Sequence, residues 1–330
     1  SGHRPLSPGD RPLTASLLPL SLLLLLPPQQ SPSQDLQVLA TRELGPAVMG
    51  GRVIDLAVDE SRPSTFFVAT ASGGVWKTTN NGTTFQPLFQ HEKVVSLGAI
   101  AMAPRNPNLL WVGTGEANNR NSTPYGGGIY KSLDGGKTWK CMGLEKSFHI
   151  ARIAIHPKDP ETVFVAACGS LWGPGGERGV YRTQDGGQTW DLVLRHDDKT
   201  GATEVRIDPK NPSIVYAALY ERQRDRFDTN DPKKRWGPGS GIFRSRDGGD
   251  TWTRLTKGLP TRPMGRTSMD IYRRNPSVVY ALIDTAWIGT RPPGSPEAQQ
   301  PTGGPAHLAV SGNQAGHRGA LPLSIAPASP

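Results

Sequence analysis

Two cysteines in 330 residues, Cys141 and Cys168, rule out a disulfide framework. They read as small, apolar, buried side chains, and whether they pair is left open by the sequence. Only one long apolar run exists, Leu13 to Leu26, and it is too short to span a bilayer comfortably. No stable membrane span is therefore expected in the mature chain. Runs of five basic residues are missing too, although the formal charge is +9 and the pI about 9.7. The densest stretch, Glu221 to Trp236, interleaves six basic with four acidic residues, which argues against a nucleic-acid partner. The histidines His91, His149, His156 and His196 have no metal-ligand spacing, so no metal or cofactor is expected.

What the chain has in excess is glycine and proline, 39 and 31 residues, about a fifth of the whole. So many turn formers call for short strands, hence an all-β chain. Its ends differ from its middle. The apolar run follows Arg4 and Arg11 and precedes a Pro/Gln/Ser stretch, the layout of a secretory leader over 1–34. A secreted or periplasmic location follows as an expectation. Beyond Thr285 the last 45 residues hold 8 prolines and 7 glycines, a disordered composition, so 286–330 reads as a tail.

Between them, over 45–285, two elements alternate. One recurs four times: "KTTNNGTTF" from Lys77, "KSLDGGKTW" from Lys131, "RTQDGGQTW" from Arg182 and "RSRDGGDTW" from Arg244. Its markers Asn80, Asp134, Asp185 and Asp247 lie 54, 51 and 62 residues apart. The other occurs five times, as in "IAIHPKDPETVFVAA", an apolar alternation, a Pro turn and a β-branched run that together signal a hairpin. One unit is thus four short strands, and four-stranded units at this period are propeller blades. About four complete blades and a partial fifth are expected. The break after Thr285 reads as an interrupted gene or shifted frame, with further blades in the intact protein.

Asp-x-Gly-x-Thr-Trp falls where strand three turns into strand four. Glycine supplies the positive φ of a tight turn, the aspartate accepts turn amides, and Trp139, Trp190 and Trp252 bury a ring between strands. Calcium asks for about six to eight oxygens, and each copy has one carboxylate, so the motif is structural.

These residues resemble the Asp-box, or BNR, repeat. The resemblance covers about Gly50 to Thr285 and, with "GTGEANNRNS" from Gly113 and "HIARIAIHP" from His149, points to secreted bacterial BNR propellers. Those are similar to the N-terminal propeller of sortilin and to xyloglucan-cleaving glycosidases. Such enzymes carry a first-blade aspartate in a Thr-Asp-x-Gly-Gly context, and Ala71 stands at the matching place in "TASGG". The Arg-Ile-Pro signature of sialidases is missing as well. The resemblance therefore implies a binding module for extracellular polysaccharide or peptide, with a xyloglucanase-type glycoside hydrolase as the alternative.

Loops joining strands two and three share one side of a propeller, and three are long here. They bring Glu116, Asn119, Arg120 and Tyr125, then Trp172 and Arg178, then Arg222, Arg224 and Trp236. Arginines and amides beside aromatic rings suit sugars or peptide carboxylates. Arg152, with Asp55 and Glu204, occupies a comparable first-strand position lining the central channel. These three either meet a ligand or pair between blades.

Overall fold

The computed structural model describes residues 51–225 and 232–286 and the backbone of His307–Gly312. The leader-like segment 1–34 and the tail beyond Ala286, that one strand excepted, lie outside the described residues. No helix among the described residues is long and apolar enough to cross a membrane.

Five antiparallel sheets follow one another along the chain. The first is β1 (Val53–Val58), β2 (Phe66–Thr70), β3 (Val75–Thr78) and β4 (Gln86–Pro87). The second is β5 (Leu97–Ala103), β6 (Asn106–Thr114), β7 (Ile129–Ser132) and β8 (Lys140–Cys141). The third is β9 (Ile150–Ile155), β10 (Val163–Ala167), β11 (Gly179–Thr183) and β12 (Asp191–Leu194). The fourth is β13 (Thr200–Ile207), β14 (Val215–Glu221), β15 (Gly241–Ser245) and β16 (Thr253–Arg254). The fifth has three strands, β17 (Met264–Ile271), β18 (Val278–Thr285) and β19 (His307–Gly312). Every strand pairs with its sequence neighbour, so the chain is a run of up-and-down blades.

Why the blades stack follows from their second strands. In "LLWVG" of β6, Leu110 and Val112 join the cluster of Phe67, Ala69 and Ile100 from the first two blades. Trp111, on the opposite face, joins Ile150, Ile153 and Val165 from the third. A strand buried on both faces reads as a continuous apolar run, not an alternation. Val205 meets Phe164 and Val180 in the same way, and Met269 meets Ala218 and Ile242. Ile100, Ile153, Val205 and Met269 occupy equivalent first-strand positions and are all buried. Their counterpart in the first blade, Leu56, is 52% exposed.

The Asp-box turns clamp each blade to the one before it. Asp134 Oδ1 accepts the amides of Lys137 and Thr138, each at 2.9 Å, while Oδ2 accepts the Thr138 hydroxyl at 2.6 Å. Ser132 Oγ donates to Asp134 and itself accepts the Gly136 amide at 2.9 Å. Asp185 and Asp247 repeat this arrangement with Thr189 and Thr251. Asn80 reproduces it with one bond reversed: its Oδ1 accepts the Thr84 amide at 2.9 Å and its Nδ2 donates to the Thr84 hydroxyl at 3.0 Å. Gly187, at φ 94°, leaves no room for a side chain, because a Cβ there would lie 2.6 Å from the Trp111 ring of the preceding blade. The motif tryptophans then reach backward. Trp139 Nε1 donates to Leu88 O at 2.9 Å and Trp190 Nε1 to Met142 O at 2.7 Å, just past the fourth strand of the previous blade. Trp252 instead donates to Gly249 O in its own turn, and Phe85, the first-blade counterpart, is 44% exposed.

First strands pack side by side near the axis, and the pairing register of each with its second strand shifts near its start. Such bulges re-aim side chains. At Gly98 the approach is so close that a Cβ would sit 2.0 Å from Ile150 O. The re-aimed charges meet. Arg152 Nη1 lies 3.1 Å from Asp55 Oδ2 and its Nε 2.8 Å from Glu204 Oε1. Arg206 Nε stands 3.1 Å from the same Glu204 oxygen, and Ser268 Oγ donates to Glu204 Oε2 at 3.3 Å. Burial works to lower the pKa of Arg152, but Glu204 and Asp55 outweigh it and raise the value above the ordinary arginine range. Arg152 thus ties the first, third and fourth blades together.

Two predictions follow from this frame. The hydroxyl and amide of Thr138 hold the Asp134 carboxyl down at about 2, against an ordinary 3.8. A depressed carboxyl stabilises fully above pH about 4 and loses that contribution as pH falls toward 2. Asp134→Ala should lower Tm by on the order of a few degrees at pH 7, and EDTA should leave Tm unchanged in wild type. Asp134→Asn should retain most of the stability at pH 7, as Asn80 does in the first blade, and lose this share of acid sensitivity. Thermal scans from pH 7 to 2 check all three. Arg152→Met should cost about 3 kcal/mol in urea unfolding by leaving Asp55 without its cation and buried Glu204 with Arg206 alone, and a concurrent Glu204→Gln should restore part of it.

Candidate functional site

Strand-two to strand-three loops gather at one end of the channel, and the second-blade loop provides the centre of the site. After β6 the chain runs through Gly115, at φ 82°, into Glu116, Ala117, Asn118 and Asn119. Glu116 is fully buried and takes a two-pronged ion pair from Arg52 of the first blade, with Nε at 2.7 Å from Oε1. Asn118 Nδ2 donates to the same Glu116 oxygen at 2.7 Å. Its Oδ1 accepts Nη1 of Arg266, on β17, at 2.7 Å.

Asn119 reaches the fourth blade. Its Nδ2 donates to the Tyr220 hydroxyl at 2.9 Å, and its Oδ1 accepts Arg222 Nη1 at 2.7 Å. Arg222 also donates to Ala117 O at 2.8 Å, and Arg224 Nη1 donates to Asn119 O. Four blades therefore converge on residues 116–119. Among the described residues a cavity of about 190 Å³ lies beside them, lined by Asp55, Asn118, Arg152 and Arg266 among others. A larger hollow of about 570 Å³ sits apart, over Leu255, Leu259 and Pro260 between the fourth and fifth blades.

The residues singled out in the sequence divide into three sets. Glu116 and Asn119 flank the segment that walls the small cavity and Arg152 lines it from the first strands, each already bonded as above. Arg178 is buried and serves its own loop. Its guanidinium donates to the carbonyls of Gly175, Cys168, Ser170 and Gly173, and burial, aided by Arg222, pushes its pKa down to about 10. Arg222 and Arg224, ligand-binding candidates in the sequence reading, are buried too, because they stitch the fourth-blade loop to the second. Arg120, Tyr125, Trp172 and Trp236 remain nearer the surface. Arg120 and Tyr125 are exposed, and the Tyr125 ring leans on Phe148 and His149 at 5.1 and 5.2 Å. Trp172 is half-buried beneath Arg224, 5.8 Å from its guanidinium. Trp236, also half-buried, lies 5.1 Å from Arg235, which pairs with Asp284.

Arg52, Asn118, Tyr220 and Arg266 were missed by sequence reasoning. Asn118 had a signal, since it stands inside the "GEANN" stretch beside two chosen residues. Arg266 had none, lying in a first strand without a distinguishing neighbour. Both cysteines are free, Cys168 buried with its thiol on Ala202 O and Cys141 half-buried. No group of three His, Cys, Asp or Glu among the described residues is placed to hold a metal ion.

Comparison with known proteins agrees with the propeller fold. The Sortilin-Vps10 family model, described as sortilin, neurotensin receptor 3, matches residues 127–280. Xyloglucanase Xgh74A of Acetivibrio thermocellus is 26% identical over 226 residues, covering 61% of this chain and 25% of that protein. A probable oligoxyloglucan-reducing end-specific xyloglucanase of Neosartorya fischeri is 28% identical over 181 residues, or 50% of this chain and 19% of the relative. The chain thus spans about a quarter or less of the length of these curated relatives. Among solved structures, an ancestral GH74 enzyme superposes with a TM-score of 0.54 at 22% identity, over 72% of this chain and 28% of its own. The GH74 xyloglucanase of Xanthomonas campestris gives 0.53 at 14%, over 78% and 36%. Repeat, sheet order and likeness together make this chain a β-propeller of BNR blades, similar to sortilin and to the xyloglucanases.

Proposed function

We propose that the loop face is a binding surface for an extracellular polysaccharide or peptide and does not cleave what it binds. One observation carries the reading: among the described residues, the buried carboxylates of that face and of the first strands beneath it are already paired with cations. Glu116 is held by Arg52, Glu204 by Arg152 and Arg206, and Glu221 by Lys234. Glycoside hydrolysis needs one carboxyl that keeps a proton and a second about 5–10 Å away acting as nucleophile or base. A carboxylate whose oxygens are already taken up by a neighbouring cation is not free to serve a glycosidic oxygen or to attack a sugar carbon. Ala71, where the xyloglucanase resemblance calls for aspartate, is buried and has no acid function. The half-buried rings of Trp172 and Trp236, beside arginines and amides, are suited to stack on sugar rings or apolar side chains.

The relatives support a second reading, a hydrolase of xyloglucanase type. Its best proton donor among the described residues is Glu177 in the third-blade loop, whose pKa burial raises although it accepts the Lys146 amide at 2.8 Å.

Incubation of the purified protein with xyloglucan separates the two readings. Binding without new reducing ends supports the first. Cleavage that disappears in Glu177→Gln establishes the second. On the binding reading, Trp172→Ala should weaken the interaction by about 2 kcal/mol, as aromatic anchors commonly do, with an unchanged far-UV spectrum.

A further inference from the structure

Among the described residues, guanidinium groups outnumber the carboxylates available to them at the channel mouth. Arg222 is only 3% exposed, and its Nη1 alone is used, on backbone and amide oxygens of the 117–119 segment. Its Nε and Nη2 are buried and find no acceptor among the described residues. Leaving two donors of a buried cation unmatched is costly. Arg266 gives its one hydrogen bond to the neutral amide of Asn118 and lines the cavity. Arg178, nearby, is caged by carbonyls alone. The acids in reach are taken: Glu116 by Arg52, Asp55 and Glu204 by Arg152. His149, fully buried beside these groups, has its pKa driven well down, first by burial and then by Arg222, with Arg178 a smaller cause.

We propose that this cavity is an oxyanion subsite taking a carboxylate carried on a sugar, so that the polysaccharide recognised here is a uronate-containing one. The proposal rests on the polysaccharide-binding reading above. The cavity's roughly 190 Å³ holds about six waters' worth of volume, enough for a carboxylate and the ring edge that bears it. The carboxylate would lie against Arg266 and the Asn118 amide. Arg222 stands behind the Ala117–Asn118 wall, completing the positive field. A planar fork matches a carboxylate in two-point geometry, which a lysine does not.

Calorimetric titration of the full chain with oligogalacturonate and with a neutral xyloglucan oligosaccharide of equal length tests this. Each is run at low and high sodium chloride, on wild type, Arg266→Gln and Arg266→Lys. The expected result is at least tenfold tighter binding of the oligogalacturonate, weakened by salt. That preference should vanish in Arg266→Gln and return only partly in Arg266→Lys, with unaltered Tm. Equal binding of both oligosaccharides, or a preference that survives Arg266→Gln, overturns the subsite and leaves polysaccharide binding standing. If neither oligosaccharide binds, the polysaccharide reading falls. A sodium acetate titration followed at the Arg266 Nε by nitrogen NMR then decides the subsite alone: a saturable shift keeps it as a site for carboxylates from another source, and no shift ends it.

Discussion

A four-stranded blade with apolar residues on both faces cannot bury both by itself, and everything else in this molecule follows from that constraint. Each blade solves half of it on the blade before and half on the one after, with Leu110 and Trp111 on opposite faces of β6 as the plainest case. The Asp-box turn makes the solution precise. Its aspartate rigidifies the turn, its second glycine lets the turn press on the neighbouring blade, and in the second and third blades its tryptophan closes a hydrogen bond to that blade's exit. Phe85 and Leu56 in the first blade, and Tyr280 and Leu282 in the fifth, show apolar side chains exposed at positions where this packing is not completed among the described residues.

Stacking brings the first strands close together, and the same closeness assembles charges. Asp55, Arg152 and Glu204 stand at equivalent positions of three blades and meet because bulges turn them toward a common axis. Above them the loops interlock across the mouth, with Asn119 of one blade held by Tyr220 and Arg222 from about a hundred residues later. Rigid blades thus set the positions of loop groups that no single blade could fix, which is how a repeat scaffold acquires a site.

Much of the frame was legible in the sequence because its signals are local and repeated. Asp134, Asp185 and Asp247 bond within four residues of themselves, so the motif carries its own geometry. The first-strand charges were legible as a set, since alignment of the hairpins superposes them. The loops were not. Nothing near Arg178 distinguishes an arginine that cages its own carbonyls from one that faces solvent, and nothing near Arg266 announces an amide partner 148 residues away. Non-periodic segments give no register from which to infer such contacts. Glu116, chosen as a ligand-facing acid, is buried and anchors its loop through Arg52.

The central claim is that the loops of the second, third and fourth blades form one ligand surface around a positively charged channel mouth. Amide hydrogen exchange with and without oligogalacturonate tests it most directly. The account predicts protection confined to the segments around 115–126, 170–178 and 221–240, together with β17 near Arg266, while the Asp-box turns on the opposite rim exchange as before. Protection at those turns, or at the outer fourth strands with none at the loop face, would contradict it.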